Sequence, residues 1–330
     1  MGYSSGLPAS SLFGIAWEVV ITESPNDLGQ QNPPLQVFDN GSRQQEQLEI
    51  EFECISSVAS GETGFWFADI SIYGLNGSTT TELINYGQGV KLSAGWANSA
   101  LPYGVIFEGT VYQPMWERID GVNYKLRLRC IVGLLETTLN FTANNIAAGS
   151  NQRAAVAAMV QNAVTPLTAN FDSNIPQSGY VNQSRGEVFF GQPSDYLQNI
   201  AKELKANVWI SNLAANIRNI RQLQDNVPTV TYNANTGLID TPQMTNDGVI
   251  IRVLLDPRLQ LAGQIQLDPT VAIAQQPRTQ GSYPYILDKN GTYGIVHLAH
   301  RGNSRGNTWE TEVTALTYVN AIMSLLNDTN

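Results

Sequence analysis

Two histidines, two cysteines and 28 carboxylates are the first groups in this 330-residue chain to weigh for binding a metal, attacking a substrate or carrying a proton. His297 and His300 are spaced H-x-x-H in a strand-like run. On a strand that spacing sends the two rings to opposite faces, so they cannot share a metal, and neither has the Glu of an H-E-x-x-H pair. Cys54 and Cys130 lie on strand-like runs, as a pair of buried thiols or, less simply, as a disulfide. No G-x-x-x-x-G-K-[ST] loop occurs, and Gly87-Gln88-Gly89 lacks the third glycine of a dinucleotide site. Carboxylates are numerous enough for a glycosidase pair, but sequence does not place two of them ~5–10 Å apart. Trp96, Trp116 and Trp309 suit either a sugar platform or a β-rich core. No set of residues converges on catalysis, so no catalytic residue, metal ligand or cofactor is expected.

One acidic row stands out. Glu49, Glu51 and Glu53 alternate with Leu48, Ile50, Phe52 and Cys54, which puts all three carboxylates on one face of a strand. Lys125, Arg127 and Arg129 make the complementary row, alternating with Leu126, Leu128 and Cys130. Strands with such stripes suit sheet neighbours, each cross-strand pair adding ~0.2–1 kcal/mol. The acidic row reads either as a solvated salt-bridge ladder or as part of a channel wall, so Glu49, Glu51 and Glu53 are the candidate channel-lining residues. Arg301 and Arg305, in the run RGNSRG, read as a solvated hairpin tip, with an anion contact as the competing reading.

The elements that position these rows alternate with period two. Residues 15–22, 35–38, 48–55, 68–73, 90–94, 105–112 and 124–131 read as strands, with a hairpin turn at 119–123. A helix of barely two turns, capped by Thr79 or Thr80 and stopped at Gly87, is expected between the fourth and fifth. After Leu135 the chain turns Ala-rich. A helix within 147–163, capped by Ser150 or Asn151 and ended by Pro166, precedes a second capped by Ser194, on which Leu197, Ile200, Ala201 and Leu204 share one face. A strand follows at 207–210. From Pro228 the pattern is β again, at 229–232, 249–255 and 263–267, with a late hairpin of 291–300 and 307–316 and a short helix at 319–326. That order echoes the first third. The fold class expected is mainly β (α+β): two antiparallel β-barrel or sandwich domains, 1–137 and 226–330, with a small α/β domain, 138–225, between them.

Composition narrows the function classes. Charged residues make up 14% of the chain, against the ~25% usual for soluble domains. The net charge of −10 argues against tight nucleic-acid binding, and it is concentrated early: residues 1–135 hold 14 Asp and Glu against 6 Lys and Arg. The N-terminal run has no basic residue before its apolar stretch and reads as a poor secretion signal; no apolar run reaches the ~18 residues of a membrane span.

Several stretches resemble the central baseplate hub proteins of contractile-tailed bacteriophages: ADISIYGLNG, TELINYGQGVKLSAGW and GVIFEGTV in the first third, and NTGLIDTP, GVIIRVLLDPRLQLAGQIQLD and HRGNSRGNTWETEV in the last. The resemblance implies two tail-tube-like barrels per chain. It further implies a homotrimer whose six barrels form a pseudo-sixfold ring joining a hexameric tail tube to a trimeric spike and lining a DNA channel. Its partners would then be further copies of itself, the tail tube or a tube initiator, the spike, surrounding baseplate proteins and the tape measure protein. It would reside in the virion after assembly in the host cytoplasm. A carbohydrate-binding or cell-wall-degrading β-rich tail protein is the competing reading.

Overall fold

The computed structural model describes residues 14–25, 28, 34–40, 48–58, 63–75, 84–97, 102–121, 123–133, 140–163, 166–171, 182, 184–204, 206–211, 214–219, 227–245, 248–268, 271 and 291–317. The helix expected at 319–326 and residues 79–83 of the one expected after Thr79 or Thr80 lie outside these residues; residues 84–87, where the latter would end, are not helical, with Tyr86 and Gly87 in a turn.

The first third gives seven strands: β1 (Ile15–Thr22), β2 (Gln36–Asp39), β3 (Glu49–Ser57), β4 (Thr63–Leu75), β5 (Gly89–Trp96), β6 (Tyr103–Arg118) and β7 (Tyr124–Ile131). Their period-two alternation turns Trp17, Val19, Ile21, Ile50, Phe52, Ile70, Ile72, Leu92, Leu126 and Leu128 into one core. Each such aliphatic side chain contributes ~1.5–3 kcal/mol on burial. Between β6 and β7 the chain reverses as expected, with Ile119 N–H donating to Asn123 O and Asn123 N–H to Asp120 Oδ1.

The middle holds β8 (Thr142–Ile146), α1 (Gln152–Gln161), β9 (Thr168–Phe171), β10 (Glu187–Gly191), α2 (Pro193–Leu204), β11 (Asn207–Ser211) and β12 (Ala214–Arg218). Asn151 caps α1 by accepting from Arg153 N–H at 2.9 Å, and the helix ends at Gln161, ahead of Pro166. Helix α2 begins two residues earlier than a Ser194 cap implies. Proline lacks an N–H that a first-turn position would leave unbonded anyway, so Pro193 is the first helical residue and Ser194 is a buried residue inside the first turn, not the cap. Met159, Val160, Leu197, Ile200, Val208 and Ile217 form a separate core, and β11 joins the first third through a short parallel pairing with β4.

The last third adds β13 (Thr229–Tyr232), β14 (Gln243–Met244), β15 (Gly248–Leu254), β16 (Gln264–Leu267), β17 (Thr292–Asn303) and β18 (Trp309–Thr317) around a third core of Val249, Ile251, Val253, Ile265, Tyr293, Ile295 and Val313. The late hairpin is longer than its alternation suggests, because Arg301-Gly302-Asn303 continue β17 and leave the reversal to 304–308.

The neighbour order of the two β regions repeats. Pairings run β3-β4-β7-β6-β5-β1 in the first and β14-β15-β18-β17-β16-β13 in the second. In each, a hairpin (β6–β7, β17–β18) sits between an early strand and the strand just before it. They differ at the last pairing, antiparallel for β5–β1 and parallel for β16–β13. The regions share one sheet because β17 pairs antiparallel with β3, from His297 opposite Ser57 to Asn303 opposite Glu51.

Candidate functional site

The candidate row lies on the polar face of this shared sheet, and each carboxylate there is already engaged. Glu53 Oε1 accepts from Arg301 Nε at 2.8 Å, Glu51 Oε2 accepts from the Tyr73 hydroxyl at 2.9 Å, and Glu49 pairs with Arg305. Arg305 also lies over the Tyr73 ring, 4.8 Å from its centroid. Burial, then the bond to Glu51, raises the Tyr73 pKa.

The acidic and basic rows are not sheet neighbours. Strand β4 runs between them, pairing Glu53 with Asp69 on one side and Arg129 with Asp69 on the other. Asp69 takes the basic row's charge, with Arg127 at 2.5 Å and Arg129 at 3.8 Å, while Glu53 and Glu49 turn to Arg301 and Arg305 of the late hairpin. Matching stripes specify which face a strand presents but not how many strands separate it from its complement. The ladder continues across the last third, where Arg301 also meets Glu312 at 3.3 Å and Arg252 bridges Glu310 and Asp240, both at 2.6 Å. The face is therefore of mixed charge, with its arginines paired to carboxylates on adjacent strands.

Arg301 and Arg305 are thus held at a seam and do not form a free tip. Ser304 fixes the turn onto β3, its N–H donating to Ile50 O and its Oγ accepting from Ile50 N–H. Gly302-Asn303-Ser304-Arg305-Gly306 has the G-x-S-x-G spelling, but this strand-to-strand turn holds Ser304 in backbone bonds and builds no nucleophile elbow. A Cβ on Gly302 would run into the rings of Phe52 and Trp309, its partners on β3 and β18, so glycine lets both rings close over β17.

Two of the tryptophans, Trp96 and Trp309, belong to the same seam. Trp309 is buried in the first core and donates to Gly95 O at 2.9 Å; Trp96 donates to Leu255 O at 3.0 Å; Trp116 packs partly buried against that core. They form no exposed platform, because Trp96 and Trp309 use their indole N–H groups in joining the modules and the Trp116 ring packs on the first core. Behind them is a buried polar network that alternation did not reveal. His300 Nδ1 lies 2.9 Å from Thr311 Oγ1, which accepts from Asp256 N–H; Asp256 in turn accepts from the Tyr232 hydroxyl at 2.7 Å and from Arg258 at 2.6 Å. Burial pushes the Asp256 carboxyl up, but the bonds from Arg258 and Tyr232 outweigh it and hold its pKa below the ordinary value. Burial lowers His300 to about 4 and, less strongly, lowers His297.

The histidines face opposite ways, with His300 in the core and His297 half-buried on the polar face. Among the described residues no three His, Cys, Asp or Glu side chains gather as a ligand set would. Cys54 and Cys130 are free, buried thiols. Both lie opposite Ala68 of the intervening β4, so they are two strand spacings, ~9.5 Å, apart and beyond the reach of a disulfide. Desolvation raises both thiols out of the reactive range.

This architecture is that of phage-type tail proteins. The chain superposes on the 43 kDa tail protein of prophage MuSo2 from Shewanella oneidensis with a TM-score of 0.55 at 7% identity, covering 92% of this chain and 99% of that one. With the E. coli c3393 protein, a component of the type VI secretion system described as structurally similar to T4 tail proteins gp27 and gp5, the TM-score is 0.52 at 11% identity, covering 84% and 76%. No curated protein matches by sequence. The family model for baseplate hub gp41 matches residues 74–275, and the chain belongs to that baseplate hub family. It is a structural component of the phage tail baseplate, and hence of the virion.

Proposed function

We propose that three copies of this chain close into a pseudo-sixfold ring that joins a hexameric tail tube to a trimeric spike, with the genome leaving through its channel. The observation that carries this reading is the repeated strand order within one continuous sheet. Two like modules per chain turn a threefold assembly into six similar units, which removes the symmetry mismatch at the tube. In this reading the chain divides at 1–137, 138–225 and 226–330, with the small α/β domain between the two barrels. The hub works without turnover and is assembled in the host cytoplasm before it joins the tube or its initiator, the spike, neighbouring baseplate proteins and the tape measure protein. The likeness of c3393 to the tail proteins gp27 and gp5 supports a place within the tail.

The polar face bearing Glu49, Glu51 and Glu53 forms part of the channel wall in this reading. Its paired charges suit DNA passage, since each arginine is already held by a carboxylate and is not offered to phosphate. Light scattering on the purified chain tests the ring: a mass three times 36.0 kDa is expected. A chain that stays monomeric at high concentration and with its spike present overturns it.

A further inference from the structure

The two modules align residue by residue along their hairpins. In β6, Val111 N–H donates to Gln88 O and Val111 O accepts from Gly87 N–H; the pairing with β7 then shifts between Val111 and Gln113. In β17, Ile295 N–H donates to Gly263 O and Ile295 O accepts from Ala262 N–H; the pairing with β18 shifts between Ile295 and His297. The shared bulge fixes the correspondence. Val111 matches Ile295, Tyr112 matches Val296, Trp116 matches His300 and Glu117 matches Arg301. Counting across the partner strands gives the other side. Cys130, Ala68 and Cys54 lie in one row beside Val111, and Ala315, Val249 and Met244 in the same row beside Ile295. Met244 therefore matches Cys54, and Gln243 matches Glu53.

The modules differ in what covers the strand beyond the bulge. On β17 the outer edge is taken by β3, with His300 opposite Cys54 and Arg301 opposite Glu53. The same edge of β6, residues 113–118, has no backbone partner among the described residues, and β14 ends the sheet order with one side open. Side chains at the head of each edge differ in the same way. Leu261 is 6% exposed and packs with Val296, Val58 and Trp209 at the internal seam. Their counterparts Tyr86 and Tyr112 are each 54% exposed and stack edge to face at 6.3 Å.

We infer that β6 of one copy pairs antiparallel with β14 of the next, residues 115–119 against 241–245, repeating between chains the β17–β3 seam found within each chain. Trp116 then faces Met244, Glu117 faces Gln243, and the Tyr86–Tyr112 pair is covered. The occupant is a second copy of this chain because both complementary edges are on it and the internal seam supplies the register. The contact runs head to tail, and repeated about a threefold axis it closes into a ring. This inference rests on the ring reading and adds its interface.

Cysteine cross-linking tests it. Ser304 N–H bonds Ile50 O, so hydrogen-bonded pairs recur at Gly302–Phe52 and His300–Cys54, and Arg301–Glu53 is a pair without such bonds. Its counterpart Glu117–Gln243 would bring Cα atoms to ~4.5 Å, within disulfide range. Both side chains are exposed, so Glu117→Cys with Gln243→Cys leaves the fold intact. Mild oxidation of this variant should move most of the chain into reducible two- and three-chain bands. Glu117→Cys with Thr241→Cys, two residues out of register, should stay at background. A trimer by light scattering without that cross-link overturns the seam and leaves the ring standing; a persistent monomer overturns both.

Discussion

His300 sets a pH dependence that can be read from one side chain. It folds neutral, because burial beside Thr311 lowers its pKa from 6.5 to about 4. The unfolded chain takes up the proton below ~6.5 and the folded one only below ~4, so this contribution is complete above the first value and is lost as pH falls toward the second. The slope is ~1.4 kcal/mol per pH unit between them. Thermal unfolding followed from pH 7 to pH 4 should show that loss, and His300→Gln should flatten it without abolishing it, since half-buried His297 shifts in the same direction. Gly302 makes a second prediction at this scale. Gly302→Ala presses a methyl group into the Phe52 and Trp309 rings and should cost ~1–3 kcal/mol in denaturant unfolding.

At the scale of elements, the two β modules are held together by a strand pairing and a few side chains that cross it. Trp96→Phe keeps an aromatic ring but removes the bond to Leu255 O, leaving a carbonyl at the seam without that donor. Unfolding should be easier by ~1–2 kcal/mol, measured by denaturant titration. How much of this was legible varies with the reach of each interaction. Strands β1 and β3, the hairpin of β6 and β7, and the cap at Asn151 are local, set by alternation or by a side chain reaching its own backbone. The place of β4 between the charged rows was not legible, because Asp69, Ser71 and Tyr73 carry no stripe of one sign to announce their neighbours. Short β8, β9, β10, β12 and β14 also escaped notice, since four or five residues, or two, hold too few alternations to stand out.

At the scale of the whole molecule, the proposed channel puts the charged face to a test. Replacing Glu49, Glu51 and Glu53 together by Gln releases Arg301 and Arg305 toward any phosphate nearby. Particles carrying this triple variant should assemble with an unchanged hub and release DNA more slowly, with the defect easing as salt is raised. Release at the parental rate would remove these carboxylates from the channel wall.

By itself the sequence determined which faces are apolar, where most long strands run and that the first and last thirds share a strand pattern, all of which depend on residues a few positions apart. Only the tertiary structure decided that Glu53 bonds Arg301, 248 positions away, that Asp69 takes the basic row, and that Trp96 and Trp309 join the modules. Side-chain alternation sets a strand's orientation, whereas its neighbour is chosen by the closing of distant chain segments around a common core.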